Sequence, residues 1–337
     1  MDGPDGLEVK LREAWPPETW QDVTVVLAIS GGADSVALLR ATAALNVAGL
    51  GRLVVGHFHH GLRPAADDDE RFVTQLSHDL GVPCEIGRAD VAASAQSLGD
   101  GVESAARQAR YEFLQGLAER RGARLVATAH TADDQAETIL HHILRGTGLA
   151  GLSGMPRCRP LSPAVSLVRP LLSIRRWEVI EYLEKIKQPF REDESNQDRQ
   201  FTRNRIRHEL MPLLEQDYNA TAVQSLLRLG RLADGARQEI QHLVDEVVNQ
   251  CVIRRRDGSL TVDCSQLAGR SDYVVCEVFA ALWREKNWPL QSMSYGHWQS
   301  LAQMALPGRR EKRAFPGRIV VEKRDGQVIL RRVARTR

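Results

Sequence analysis

The stretch Val23–Ser35, VTVVLAISGGADS, decides the fold. Val23–Ile29 is apolar, rich in β-branched residues and bounded by Gln21–Asp22 and by glycine, as a strand buried in a parallel sheet would be. Ser30-Gly31-Gly32-Ala33-Asp34-Ser35 follows, then VALLRATAAL with helical spacing. Strand, glycine turn and helix in that order aim backbone N–H groups and a helix N-terminus at one spot, where an anion is stabilised. Gly31 and Gly32 let the backbone come close, with no Cβ in the way, and Ser30 and Ser35 add hydroxyls. Asp34 is out of place in a plain phosphate cradle. A carboxylate there is repulsive unless it holds a cation or orients another group, so it reads as a handle for Mg²⁺ or a substrate amine. The lysine and longer glycine spacing of a Walker A loop are missing, and GxGxxG is not formed.

Outward from this loop, strand and helix patterns alternate. Leu53–Phe58 reads as a second strand, running into the loop His57–Pro64 (HFHHGLRP). The acids Asp67–Asp69 open the next helix, Ala66–Leu80, and complement its dipole. His57, His59 and His60 share no face of a regular element, so the loop reads as ligand-lining and not as a metal site. Cys84–Arg88 is a third strand, and Gly101–Arg121 a helix with Val102, Ala105, Ala109, Phe113 and Leu117 on one stripe. Glu103, Arg107 and Arg110 fall off that stripe. Arg124–Ala129 is another strand, and it runs into HTADDQAET, His130–Thr138. Asp134 and Glu137 are one turn apart on a helix face. A capping box on Thr131 accounts for Asp134 but leaves Glu137 unexplained. Two acids at the end of a parallel strand, facing an anion loop, suit Mg²⁺ or an incoming ammonium. Leu167–Leu171 and Ile174–Lys187 complete the alternation. The fold class is therefore α/β, a doubly wound parallel sheet with its ligand at the carboxyl ends of the strands.

In Arg191–Leu214, Arg203, Arg205 and Arg207 crowd with Asn204 and His208 around one isoleucine. Such a cluster can hold phosphates in bidentate fashion. It can equally be the charged start of an inter-domain helix, paired to Glu192–Glu194. From about Tyr218 the pattern changes to helices at Ala220–Asn249, Ser271–Lys286 and Ser294–Ala305. Two hairpins turn at Asp257-Gly258 and Asp325-Gly326. This predicts an α+β domain over 216–337 after a catalytic domain over 1–215. Trp283, Trp288 and Trp298 read as core.

A chain of 337 residues has room for two domains. With 43% apolar and 26% charged residues it is ordinary for a soluble protein. No apolar run is long enough for a bilayer and no secretory signal precedes the fold, so the expectation is a cytoplasmic protein with no membrane partner. The five cysteines are scattered and form no CxxC pair, which suits reduced thiols and argues against zinc-ribbon or iron–sulfur sites. The net charge is +2, but residues 308–337 carry 11 Lys/Arg against 3 Asp/Glu, a local +8 that leaves −6 for the rest. A basic end on a slightly acidic body points to a polyanionic partner.

SGGADS resembles the pyrophosphate loop of the N-type ATP pyrophosphatases (PP-loop superfamily), which split ATP between its α and β phosphates. Together with HHGLRP, GVESAARQARY, AHTADDQAET, RGTGLAGLSGM, RPLL and ESNQDRQFTRNRIRHELMPLL, in that order, it resembles the tRNA(Ile)-lysidine synthase family across roughly Val25–Leu214. The most specific blocks are DDQAET and RNRIRHEL. His59 stands where the family usually has Asn or Asp, and Glu194 where it often has Pro.

The resemblance implies ligation of L-lysine to C2 of the wobble cytidine, C34, of an isoleucine tRNA with a CAU anticodon. ATP adenylates the C2 oxygen, lysine displaces AMP, and codon reading moves from AUG to AUA. It further implies that Ser30, Gly31, Gly32, Ala33, Asp34 and Ser35 cradle ATP. Asp34 and Asp134 would serve Mg²⁺, and Asp134 and Glu137 Mg²⁺ or lysine. Arg205 would touch phosphate or cytidine during adenylation, with Arg203 and Arg207 as close competitors. His60, Arg63, Arg107, Arg110, Arg203, Asn204 and Arg207 are expected to bind substrate, the 216–337 region to bind tRNA, and the chain to form a homodimer. A thiolating relative would bring a CxxC pair, and an amidating one a glutaminase domain; neither pattern is present. A non-catalytic RNA-binding protein with a relic loop is disfavoured by the intact acids.

Overall fold

The computed structural model describes residues 6–46, 51–59, 66–88, 102–191, 202–306, 308 and 310–333, with the side chains of 102–104 left aside. Two compact units divide the chain, Met1–Ala233 and Asp234–Arg337.

The first unit runs α1 (Gly6–Ala14), β1 (Val25–Ala28), α2 (Ala33–Leu45), β2 (Leu53–His59), α3 (Ala66–Asp79), β3 (Cys84–Arg88) and α4 (Val102–Arg120). It continues with β4 (Leu125–Ala127), α5 (Ala132–Leu144), α6 (Leu149–Leu152), β5 (Cys158–Pro160), β6 (Ser166–Val168) and α7 (Arg176–Lys185). A helical run over 202–218, alternating α and π turns, leads to α8 (Ala222–Cys251).

The strands form one sheet in the order β3-β2-β1-β4-β6-β5, parallel except for β5. β1 sits in its interior, with Val25 opposite Leu53 on one side and Leu125 on the other. Its side chains alternate between two cores. Val25 and Leu27 pack with Leu11, Val36, Leu39 and Leu183 from α1, α2 and α7. Val26 packs with Val54, Leu114, Leu117, Val126 and Leu167 on the α4 side. Burial on both faces is why the strand reads as a continuous apolar run, each such side chain contributing roughly 1.5–3 kcal/mol. Gly56 is required by close packing: a Cβ there would lie 2.9 Å from Leu117. From β1 the chain moves outward through β2 and β3, then returns to β4 on the other side. The switch point thus lies between β1 and β4, and in open sheets of this kind ligands bind outside the carboxyl ends of the strands at that point.

Two details differ from the sequence pattern. The strand expected over Leu167–Leu171 stops at Val168, because Arg169-Pro170 follows and proline cannot donate to a ladder. β5 carries no alternation at all, and its Pro160 is tolerated at the sheet edge. The division between the two compact units falls inside α8. Val223, Leu226 and Leu227 of α8 pack with Ala136, Ile206 and Met211 in a first-unit cluster.

The second unit holds the rest of α8, β7 (Val252–Arg254), β8 (Leu260–Asp263), α9 (Asp272–Glu285), α10 (Tyr295–Ala305), β9 (Glu311–Phe315), β10 (Ile319–Arg324) and β11 (Gln327–Arg332). Its antiparallel sheet is ordered β7-β8-β11-β10-β9. The β10–β11 turn has positive φ at both Asp325 (48°) and Gly326 (78°), as a tight hairpin requires. β9, EKRAF, is a charged edge strand with no apolar alternation to announce it. Trp283 is fully buried, with Trp288, Trp298 and Phe315 edge-on at 4.9, 5.5 and 6.2 Å, so this aromatic group is core. No helix among the described residues is long and apolar enough to cross a membrane.

Candidate active site

The glycine turn after β1 is held from within and from behind. Ser35 Oγ accepts from the N–H groups of Ser30 and Gly31, each at 3.2 Å, and donates to the Gly32 carbonyl at 2.8 Å. Gly31 takes φ 97°, a left-handed conformation that favours glycine. Its carbonyl accepts from the Arg191 N–H at 2.9 Å, while Arg191 Nε donates to buried Asp69 at 3.2 Å. His57 lies buried at the end of β2 and donates from Nδ1 to the Ile29 carbonyl at 2.8 Å; burial holds its pKa down and the ring neutral. Ser35 therefore shapes the turn with its hydroxyl. Gly32 caps α2 without a side chain, which leaves the first N–H groups of the helix, at Ala33 to Ser35, open to an anion.

Asp34 stands at the mouth of this turn. Its Oδ2 accepts from Arg176 Nη1 at 3.2 Å, and its Oδ1 is buried without a hydrogen-bond partner. Burial, opposed by Arg176 and reinforced by Asp134, raises its pKa to about 6. An orphaned carboxylate oxygen beside an anion cradle is a fitting donor for Mg²⁺, which commonly takes one or two carboxylates together with substrate phosphates. No three His, Cys, Asp or Glu side chains among the described residues converge as a cage for a metal.

α5 begins at the carboxyl end of β4, beside this turn. Thr131 and Asp134 form both halves of a capping box: the Thr131 N–H donates to Asp134 Oδ2 at 2.9 Å, and the Asp134 N–H donates to Thr131 Oγ1 at 3.4 Å. Asp134 Oδ1 then accepts from Arg203 at 3.1 Å and Arg207 at 2.6 Å. Burial alone would raise its pKa, but Arg207, Arg203 and the Thr131 N–H outweigh it and hold the carboxyl low. Glu137, 3% exposed, accepts from Arg207 Nε at 2.6 Å and Nη2 at 2.9 Å, and from Arg203 Nε at 3.5 Å. There burial prevails over Arg207 and its pKa is raised. The site is thus a balanced set of two carboxylates and two guanidiniums, largely withdrawn from water.

The arginine cluster divides by helical spacing. Arg203 and Arg207, one turn apart, point to the acids. Arg205 lies between them in sequence and is not brought to the acids; it is exposed, and among the described residues its ion pair is with Glu209, at 3.8 Å. Asn204 is half-buried in the same turn. Arg107 and Arg110 stand apart from the acid pair, around Tyr111 on α4. His60, Arg63 and the ESNQDRQ segment lie outside the described residues.

Other neighbours of the candidate site have weak or no sequence signal. Asp133 accepts from Arg175 Nε at 3.0 Å and from the Arg176 N–H at 2.6 Å, tying α5 to the start of α7 and bringing Arg176 to Asp34. His130, inside the AHTADDQAET block, bonds Thr128 through Nδ1 at 3.0 Å. Burial, opposed by Asp134, takes its pKa down to about 3, so it remains neutral across the working range.

Residues 7–214 match the PP-loop domain family. The tRNA(Ile)-lysidine synthase of Rhodopirellula baltica is 34% identical over 328 residues, spanning 86% of this chain and 82% of that protein. The Geobacter sulfurreducens protein of the same name is 43% identical over 235 residues, 69% of this chain and 49% of its own. The Thermus thermophilus one is 42% identical over 216 residues, 64% and 39%. Against these last two relatives the chain spans half their length or less. Among solved structures, a U34-tRNA thiolase from Methanococcus maripaludis shares the fold, with TM-score 0.58 at 16% identity over 67% of this chain and 78% of that one.

Proposed function

The chain belongs to the tRNA(Ile)-lysidine synthase family, and from that membership we propose that it uses ATP to ligate L-lysine to C2 of the wobble cytidine of the CAU-anticodon isoleucine tRNA. The C2 oxygen attacks the α-phosphate of ATP and pyrophosphate leaves; the lysine ε-amine then attacks C2 and AMP leaves. The observation that carries this reading is the meeting of the glycine turn, Asp34 and the Asp134–Glu137 pair at the switch point of the sheet.

Each group has a distinct task. The N–H groups at the start of α2 hold the pyrophosphate portion, and the Ser35 and Arg191 contacts keep the turn in shape. Asp34, with its orphaned Oδ1, would hold Mg²⁺ against the phosphates, and the ion when bound offsets the charge of the departing pyrophosphate. Asp134 would join it only by giving up a guanidinium. The ε-amine arrives protonated at neutral pH, its pKa being near ~10.4, and needs carboxylates to receive it. Asp134 and Glu137 are those carboxylates, so the ammonium takes over contacts that Arg207 and Arg203 hold in the free chain. A guanidinium released from the acids is then available to the phosphate. Arg205 is exposed, and its pair with Glu209 is too weak to compete with an RNA phosphate or the target cytidine. The 216–337 region would hold the tRNA backbone, and two copies would associate as a homodimer, readable by sedimentation.

The decisive assay supplies ATP and labelled lysine to isoleucine and methionine tRNA transcripts. Label entering the isoleucine transcript alone is expected; no incorporation into either sinks the proposal.

A further inference from the structure

A second concentration of charge lies outside the acid pair and the glycine turn. On α4, Arg107 and Arg110 stand with Cζ 5.2 and 5.5 Å from the centre of the Tyr111 ring, and Arg159 of β5 approaches the same ring to 5.2 Å. Arg169, which follows β6, is the fourth member. Burial would push the Tyr111 hydroxyl pKa up, yet the four guanidiniums, Arg107 foremost, draw it down. Three separate elements thus contribute like charges to one ring. Attraction to a single π face cannot balance four guanidiniums. Among the described residues, no Asp or Glu side chain forms an ion pair with any of them.

Arg169 is the most telling. It is 2% exposed, its Nη1 donates to the Pro156 carbonyl at 2.6 Å, and its Nε is buried with no acceptor. A buried guanidinium with an unmet donor is costly unless a ligand completes it. Arg110 and Arg169 are also near enough to His130 to act on its charge, so the cluster borders the start of α5 where the acid pair sits.

We propose that Arg107, Arg110, Arg159 and Arg169, arranged around Tyr111, bind a phosphodiester of the RNA substrate beside the reacting nucleotide. Guanidinium forks match the non-bridging oxygens of a phosphate. Three of the four are half-buried or exposed, so they can meet a strand passing over the surface, while Arg169 anchors the set from beneath. The phosphates of ATP already have the glycine turn and the α2 N-terminus, and that leaves this cluster for the polynucleotide.

This inference rests on the RNA-substrate reading, and its test separates the two. Binding of a labelled isoleucine tRNA transcript is measured across a salt titration for the wild type, Arg107→Ala/Arg159→Ala and Arg107→Lys/Arg159→Lys. ATP binding is measured without RNA, and a thermal melt checks folding. The alanine pair is expected to bind tRNA at least about tenfold more weakly and to lower the salt slope by about one for each phosphate left without its guanidinium. The lysine pair should keep the slope while losing part of the affinity, and ATP binding should hold. If the double variant melts early, Arg159→Ala alone on the edge strand carries the test. Tight wild-type binding that is unchanged in the variants overturns the arginine site and leaves the function standing. Loss of ATP binding overturns it as well, by giving the cluster to the nucleotide. A wild-type protein that binds no tRNA overturns both.

Discussion

Arg207 grips Glu137 with a two-bonded fork, Nε to Oε1 at 2.6 Å and Nη2 to Oε2 at 2.9 Å, and the same Nη2 reaches Asp134 at 2.6 Å. One guanidinium thereby bridges both carboxylates, and Arg203, bonded to the same two acids, completes the charge balance. On the proposed function Arg207 holds the place of the lysine ammonium in the free chain, so that the acids are not left bare in a buried site.

The grip has a thermodynamic consequence. Arg207→Ala strands Glu137, whose side chain is 4% exposed, as a buried acid without its main partner. Breaking such a pair costs about 3 kcal/mol. Urea unfolding should show that loss, and Glu137→Gln placed on top of Arg207→Ala should recover part of it. A single variant as stable as the wild type would mean that the pair is not coupled.

Glu137→Gln alone separates the two chemical steps. If Glu137 chiefly receives the amine, this variant forms the adenylated tRNA when lysine is withheld but transfers lysine poorly when it is added. Trapping the intermediate and then chasing with lysine reads the two steps apart. Equal loss of both would move Glu137 to the metal.

Asp34 gives a pH prediction. Its pKa in the folded chain, about 6, lies above the ordinary 3.8, so the folded state binds this proton more tightly than the unfolded state does. The stabilisation is full below pH ~3.8 and is lost as pH rises through about 6, leaving a buried charge above it. Asp34→Asn should therefore flatten the stability profile between those values and be on the order of 3 kcal/mol more stable at pH 8. It should also lose tRNA-dependent pyrophosphate release. Normal release in this variant would remove Asp34 from the chemistry.

What the sequence makes legible follows from the range of each interaction. The β1–turn–α2 unit is readable because a buried parallel strand, a glycine turn and a helix start are all local patterns. The Thr131 capping box is likewise local, and both of its bonds form. Which arginines face the acids is available in the spacing, since Arg203 and Arg207 are i,i+4 and Arg205 lies between them; the phosphate or cytidine contact expected of Arg205 is a separate role. The Arg176–Asp34 contact joins residues from α7 and α2, and no local pattern encodes it. β5 and β9 are short or charged edge strands whose pairing is decided by neighbours and not by their own alternation. The Tyr111 cluster is assembled from α4, β5 and the turn after β6, so only two of its arginines, the pair on one helix, draw notice in the sequence.

The basic C-terminal end gives the last prediction. Of its 11 Lys/Arg, Lys323 is buried and donates to the Leu306 carbonyl, so it belongs to the fold. Arg331 and Arg332 close β11 with exposed side chains, in contrast to buried Val328 and Leu330 on the same strand. Arg335 lies outside the described residues. Exposed arginines at a strand end suit phosphate contacts and carry no arrangement for reading bases. Arg331→Ala/Arg332→Ala should weaken isoleucine and methionine tRNA binding alike and lower the salt slope by about two, with ATP affinity unchanged. The stability cost should stay within about 0.5 kcal/mol, as for exposed positions generally. Wild-type binding throughout a salt titration would reduce this charge to a solubilising role. A loss confined to isoleucine tRNA would make the end a specificity reader, because a backbone contact cannot tell the two tRNAs apart.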